Sequence, residues 1–131
     1  MKVFRCTIPE IKLVSVNKKF LTHPAYINNK EYIAGLMDID NVKNLSFTTP
    51  TGLTIYIKTL KDIDNTIKMI QDALQFAGIL EDDNLIFSLN VKLSRTGLSK
   101  GDKESVFVEL VELPLDILDH IETEVTGVFN K

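Results

Sequence analysis

Apolar and polar residues alternate from Lys2 to Ile8, and this period of two predicts a first strand. Residues 9–25 break the alternation with prolines, lysines and polar residues, so they are expected to be irregular; within them Val14 to Phe20 is basic with one aromatic. Asn28 or Asn29 is a suitable cap for a helix running to about Met37, with Tyr32, Ile33, Leu36 and Met37 on its apolar side and a poor helix former, Gly35, inside it. Leu45 to Thr49, a turn at Pro50-Thr51-Gly52, and Leu53 to Lys58 read as one or two strands. From about Asp64 the period turns helical: Ile67, Ile70, Leu74 and Ala77 fall on one stripe, Asp64 or Asn65 is a competent cap, and Gly78 is placed to end the helix. Leu85 to Leu93 and Ser105 to Val111 read as two strands paired in a hairpin across a loop with Gly97 and Gly101. Pro114 opens a last amphipathic helix with Leu115, Leu118, Ile121 and Val125 on one side.

Strand, helix, strand or strands, helix, hairpin, helix defines the α+β class, a mixed sheet with helices packed on it. With 131 residues the chain is expected to form a single domain over 1–131, of which 114–131 is an acidic C-terminal helical extension. The one cysteine, Cys6, excludes an internal disulfide and, lying in the first alternating strand, reads as a buried reduced thiol. Neither His23 nor His120 is placed to activate it. No stretch is apolar enough to span a membrane and the first residues form no secretion signal, so a cytoplasmic protein is expected.

The net charge of −3 is unevenly spread. Residues 1–61 carry nine Lys/Arg against four Asp/Glu (+5), and residues 62–131 six against fourteen (−8). A basic first half beside an acidic centre that gathers metal ions suits a nucleic-acid substrate, whereas a merely solvated surface would give the same sum. Lys12, Lys18, Lys19 and Lys30 are the candidates for backbone phosphate contacts, with Arg95, Lys100 and Lys103 as a second patch. His23, Tyr26 and Phe20 are further candidate contacts to DNA, although exposure for the histidine and core packing for the rings are the commoner fates.

The acidic centre carries the chemistry. Asp62-Ile63-Asp64-Asn65 precedes the helix that bears Lys68 and Asp72, and Asp82-Asp83 follows it. In extended backbone residues i and i+2 point the same way, so Asp62 and Asp64 share a side. Carboxylate oxygens suit Mg²⁺ or Mn²⁺, which activate water and stabilise a phosphodiester under attack. The helix N-terminus favours an anion, and Lys68, one turn on, reaches the same region to neutralise phosphate charge. Taken singly the parts are ordinary: a capping cluster, an ion-pair ladder at 64, 68 and 72, a loop acidic pair. An EF-hand is excluded, because Ile67 stands where its turn glycine is required.

Taken together, Asp62-Ile63-Asp64-Asn65, Lys68, Asp72-Ala73-Leu74, Ala77-Gly78 and Asp82-Asp83 resemble the core signature of the RusA-type Holliday junction resolvases. The close likeness covers about residues 61–92 and a looser one reaches to about Leu113, including Ser15-x-Asn17. It implies a RusA-like fold and a small, dimeric, Mg²⁺-dependent endonuclease, often prophage-borne, that cuts four-way DNA junctions by paired symmetric nicks in recombination and repair. It also implies Asp62, Asp64 and Asp83 as metal-binding carboxylates and Lys68 as the active-site lysine, with Asp82 ranked below Asp83. Where relatives carry an arginine-rich run before the first aspartate this chain has Lys58-Thr59-Leu60-Lys61, so weaker phosphate anchoring is expected and Lys61 joins the candidate DNA contacts. The alternative is a non-catalytic module of the same fold that binds branched DNA or a phage protein. A hydrolase of small phosphate esters is disfavoured by the lack of a Gly-rich phosphate loop.

Reach matters here. A helix of about 13 residues is roughly 20 Å long, and five extended residues from Gly78 return at most roughly 17 Å. Either the chain folds back tightly to bring Asp83 to Asp62, or each site is completed across a dimer.

Overall fold

The computed structural model describes residues 1–11, 24–59, 63–99 and 104–130. Among these the chain forms, in order, β1 (Val3–Ile11), α1 (Pro24–Asp40), β2 (Thr51–Lys58), α2 (Asp64–Phe76), β3 (Ile86–Ser94), β4 (Glu104–Glu112) and α3 (Leu115–Phe129), with a 3₁₀ turn at Asp83–Leu85 before β3. The mixed sheet with helices on it is the α+β class expected.

The sheet order is β1-β4-β2-β3. β4 lies antiparallel to both β1 and β2, while β3 runs parallel to β2 at the edge. The expected β3–β4 hairpin is therefore wrong: β2 lies between them, and the pairing partner of β3 is the strand that α2 connects to it. Parallel neighbours require such a crossover, and α2 supplies it.

Alternation decides which face is buried. Phe4, Cys6 and Ile8 of β1, Leu53, Ile55 and Ile57 of β2, and Val106, Val108 and Leu110 of β4 form one apolar face under α1 and α2. α1 begins at Pro24, earlier than the asparagines expected to cap it. Proline suits the first helical turn, where an N–H has no partner. Its buried side is Tyr26, Ile33, Ala34 and Met37 rather than one including Tyr32, which is exposed. α2 buries Thr66, Met69, Ile70, Ala73 and Leu74, a stripe rotated from the expected one, with Ile67 and Ala77 at its margin. Contacts of Tyr26 with Asp72 and of Lys30 with Phe76 advance together along both helices, so α1 and α2 run side by side in the same direction.

Gly78 ends α2 as expected, with φ +74°, a conformation that costs other residues about 1 kcal/mol or more. Beyond it, Ile79 and Glu81 exchange backbone hydrogen bonds with Phe47 (Phe47 N–H to Ile79 O 2.7 Å; Glu81 N–H to Phe47 O 3.0 Å). Phe47 makes only an isolated bridge to Leu80, so 45–49 is not a strand, and the expected turn residues Thr51 and Gly52 begin β2 instead. This contact fixes the C-terminal end of α2 at the start of β2. α3 forms as expected after Pro114, but none of its residues is buried.

Candidate active site

β2 ends at Lys58 because its apolar row ends at Ile57, and the chain then turns into α2. Asp64 is the first residue of α2, with Ile63 in the capping position and no side-chain cap. The expectation that Asp64 or Asn65 caps the helix is corrected. Its carboxylate lies in the first turn, where the helix dipole favours an anion by about 0.3–1 kcal/mol. Asp62 and Lys61 lie outside the described residues, as do Lys12, Lys18, Lys19, Phe20, His23, Lys100 and Lys103.

Lys68 lies one turn along α2. Its ammonium pairs with Asp72 Oδ1 at 3.2 Å, and Asp72 Oδ2 accepts the hydroxyl hydrogen bond of Tyr26 from α1. Tyr26 is buried, and burial together with the Asp72 carboxylate pushes its phenol well above its ordinary range. A buried hydroxyl thus holds the carboxylate that holds the lysine. In the sequence the 68–72 spacing reads only as a surface ladder, and no local signal reveals the Tyr26 link. Cys6 is buried as expected, and desolvation, aided by Asp40, pushes its thiol up to about 12.

Several basic groups gather at this end of the sheet. Lys58 ends β2, and its ammonium lies next to Gly97. Arg95, just past β3, donates to the Thr59 carbonyl at 3.5 Å. Ile11 of β1 pairs with Glu104 at the same end. On the helix-free face, a shallow groove of about 380 Å³ runs past Tyr56, Lys58, Lys92 and Phe107, with the two rings stacked at 5.8 Å. Sequence reasoning missed it, although the alternation in β2 puts Tyr56 and Lys58 opposite the core row. A buried carboxylate, Glu104, accepts from the Thr59 hydroxyl at 3.5 Å nearby and was also not singled out. Lys30, by contrast, lies over the Phe76 ring, 5.1 Å from its centroid, about 18 Å along α2 from Asp64.

Asp82 and Asp83 lie at the other end. Asp82 caps the 3₁₀ turn, accepting from the Asn84 N–H at 2.9 Å, and Asp83 opens that turn, half-buried. Because Lys58 pairs with Ser94 and Thr51 with Ile86, Asp83 and Asp64 are separated by about seven strand residues, or roughly 23 Å. Within one chain Asp83 is thus far from Asp64, while the expected fold-back to Asp62 lies outside the described residues. Among the described residues no three acidic, histidine or cysteine side chains gather to hold a metal ion.

The model of the endodeoxyribonuclease RusA family matches residues 10–110, from the end of β1 through most of β4. The chain belongs to that family, whose members are nucleases acting on Holliday junctions. The match covers both aspartate ends and Lys68 and leaves α3 out. No curated protein matches the chain. The family is in general divalent-metal dependent, and the donor set here, all carboxylate oxygens, has the chemistry such hard cations prefer.

Proposed function

We propose that this chain is a Mg²⁺-dependent endodeoxyribonuclease that resolves four-way junctions by paired symmetric nicks in DNA recombination and repair, and that it works as a homodimer in the cytoplasm. Among the described residues no helix is long and apolar enough to cross a membrane. The observation that carries the reading is Asp64 at the α2 N-terminus with Lys68 one turn on, inside the family-matched span.

Asp62, Asp64 and Asp83 are the residues that would hold Mg²⁺ (or Mn²⁺), which when bound lowers the pKa of water and offsets charge on the phosphate. The N-terminal N–H groups of α2 favour the scissile phosphate. Lys68 meets the charge that grows on the phosphate oxygens, and Asp72 with Tyr26 keeps its ammonium from swinging into solvent. Lys12, Lys18, Lys19 and Lys61 hold the flanking backbone. Two related strands of a junction are cut, so two sites related by a twofold axis are required.

The alternative, a module of this fold that binds branched DNA without cutting, is favoured by one observation: within a single chain Asp83 is far from Asp64. Incubating an end-labelled mobile junction and matched linear duplex with the protein, with and without Mg²⁺, separates the two. Paired nicks confined to the junction and lost in Asp64→Asn, with binding kept, are expected. Binding without cutting at any Mg²⁺ concentration would move the assignment to the module.

A further inference from the structure

The face of the sheet that no helix covers is mostly polar. Alternation puts Arg5 and Thr7 of β1, Glu109 of β4, Thr54 of β2 and Asn90 of β3 on it. Arg5 and Glu109 neutralise each other at 2.7 Å. Two rings interrupt this polar surface. Tyr56 of β2 and Phe107 of β4 are register partners, and they stack with centroids 5.8 Å apart and planes inclined by 28°. Tyr56 is nonetheless 46% exposed. The pair lines the shallow groove of about 380 Å³ at the end of the sheet where Lys58 closes β2.

The register sets what surrounds the rings. Phe107 pairs with Thr7 on one side and Tyr56 with Lys92 on the other, so Thr7, Phe107, Tyr56 and Lys92 form one row across the four strands. Lys58 lies on the same face two residues along β2 from Tyr56, roughly 7 Å away. Two lysines therefore flank the Tyr56 side of the ring pair, and among the described residues neither is paired with a carboxylate. No acidic residue lines the groove. A ring pair that served only to hold two strands together would need neither the exposure nor the flanking cations. A wholly apolar partner would bury two unpaired cations, which is costly. Both features are met by a flat aromatic surface joined to negative charge, and that is the chemistry of a nucleotide. In a continuous duplex the base faces are hidden by stacking, so only an unpaired nucleotide offers them to a ring.

We infer that this groove binds an unpaired nucleotide of a DNA strand, its base stacked on the Tyr56–Phe107 pair and its flanking phosphates held by Lys58 and Lys92. The site is separate from the carboxylates: Asp64 opens α2 on the helix-covered face, whereas the groove lies on the other face at the same end of the sheet. A strand passing round that end of the sheet reaches both. Stacking uses the face of a base and not its edges, so the groove tolerates any base. What it selects is the unpaired state, and DNA with unpaired bases is favoured over continuous duplex. The inference goes beyond the nuclease reading and concerns binding alone, so it stands whether or not the chain cuts.

The test reads binding by fluorescence anisotropy in the absence of divalent cations. The probes are a labelled oligothymidine of about ten nucleotides, an abasic strand of the same length and a matched duplex. The wild-type protein is expected to bind oligothymidine more tightly than the abasic strand. Tyr56→Leu is expected to weaken oligothymidine binding roughly 5- to 150-fold, the stacking contribution of one base, with unchanged circular dichroism because Tyr56 is half exposed. Tyr56→Phe returns the ring and with it the affinity. Lys58→Ala with Lys92→Ala leaves the rings in place and is expected to lower the log–log salt slope by about 1.4, at about 0.7 for each phosphate of a single strand; this variant decides the question if Tyr56→Leu does not fold. The inference is overturned if the wild-type protein binds neither strand, if it binds the abasic strand as tightly as oligothymidine, or if Tyr56→Leu folds and binds like the wild type. A peptide of alternating Glu and Phe serves as a further probe. If its binding depends on Tyr56 while that of oligothymidine does not, the groove belongs to an acidic protein segment and the inference is overturned as well. Failure of the nuclease reading is distinguishable: junctions would then stay uncut with Mg²⁺ present, while binding measured without it is unaffected.

Discussion

The Tyr26 hydroxyl of α1 donates to the Asp72 carboxylate of α2, and the other oxygen of the same carboxylate holds Lys68. One hydrogen bond therefore joins the packing of two helices to the position of the candidate active-site lysine. Tyr26→Phe keeps the ring and removes the bond. A hydrogen bond to a charged group contributes about 1.5–3 kcal/mol, and the unfolding free energy read by urea titration is expected to fall by an amount in that range. Asp72 keeps its charge but loses the bond that fixes it, so Lys68 is held less firmly and junction cleavage is expected to slow with little change in junction binding. A variant with wild-type stability would show that the bond contributes nothing to the native state.

Alkaline stability follows from two buried acids. Cys6 is raised from its ordinary 9.0 to about 12, and Tyr26 is raised as well. A raised folded value means the native state keeps its proton where the unfolded chain has lost it. The stabilisation is therefore complete below pH 9 and is lost as pH rises from 9 towards 12, with the Tyr26 contribution falling away above 10. Unfolding midpoints are expected to be flat on this account from pH 7 to 9 and to drop beyond. Cys6→Ala is expected to make that drop shallower, and an unchanged pH slope in the variant would remove Cys6 from the account.

How much of this was readable in advance depends on range. The period of two in β1 and β4, the helical period after Asp64, Gly78 past the end of α2 and the helix after Pro114 are local signals, and each element is present. Cys6 as a buried thiol followed from its place in the first strand. The errors are of two kinds. Local competition moved boundaries: Pro24 starts α1 ahead of Asn28, and Ile63 occupies the cap position expected for Asp64. Long-range pairing is not written in any window: β3 and β4, consecutive in sequence, are separated by β2, and the strand register carries Asp83 to the far end from Asp64. The Tyr26–Asp72 bond, 46 residues apart in sequence, is of the same kind. The resemblance pointed to the residues of the signature, and only the topology showed that Asp64 and Asp83 stand far apart within one chain.

The basic segment makes a quantitative prediction. Each phosphate neutralised steepens the fall of binding with salt by about 0.9 in the log–log slope for duplex arms. Lys18→Ala with Lys19→Ala is expected to reduce the slope of junction binding by about 2, whereas Lys30→Ala, whose ammonium is engaged by Phe76 far from Asp64, is expected to change it by less than 1. Filter binding across a salt series reads both, and a large loss of slope in Lys30→Ala would place the DNA path over the far end of α2.

α3 provides a last contrast, because its composition and its packing point the same way. None of its residues is buried, and Leu115, Val128 and Phe129 are exposed by 78%, 62% and 81%. The helix lies outside the family-matched span, which ends at residue 110. Buried apolar area is what ties a helix to a fold, and α3 contributes little of it. Ending the chain after Pro114 is therefore expected to change stability by no more than about 0.5 kcal/mol, as for ordinary surface changes. The truncation removes four acidic residues and one lysine, so the net charge rises from −3 to 0. With less repulsion of the phosphate backbone, junction binding at low salt is expected to tighten and the advantage to fade as salt is added. Thermal unfolding and a salt series of junction binding on the truncated protein check both parts. A large loss of stability would show that α3 is covered in the working assembly, and unchanged binding would show that its acidic residues lie away from the DNA.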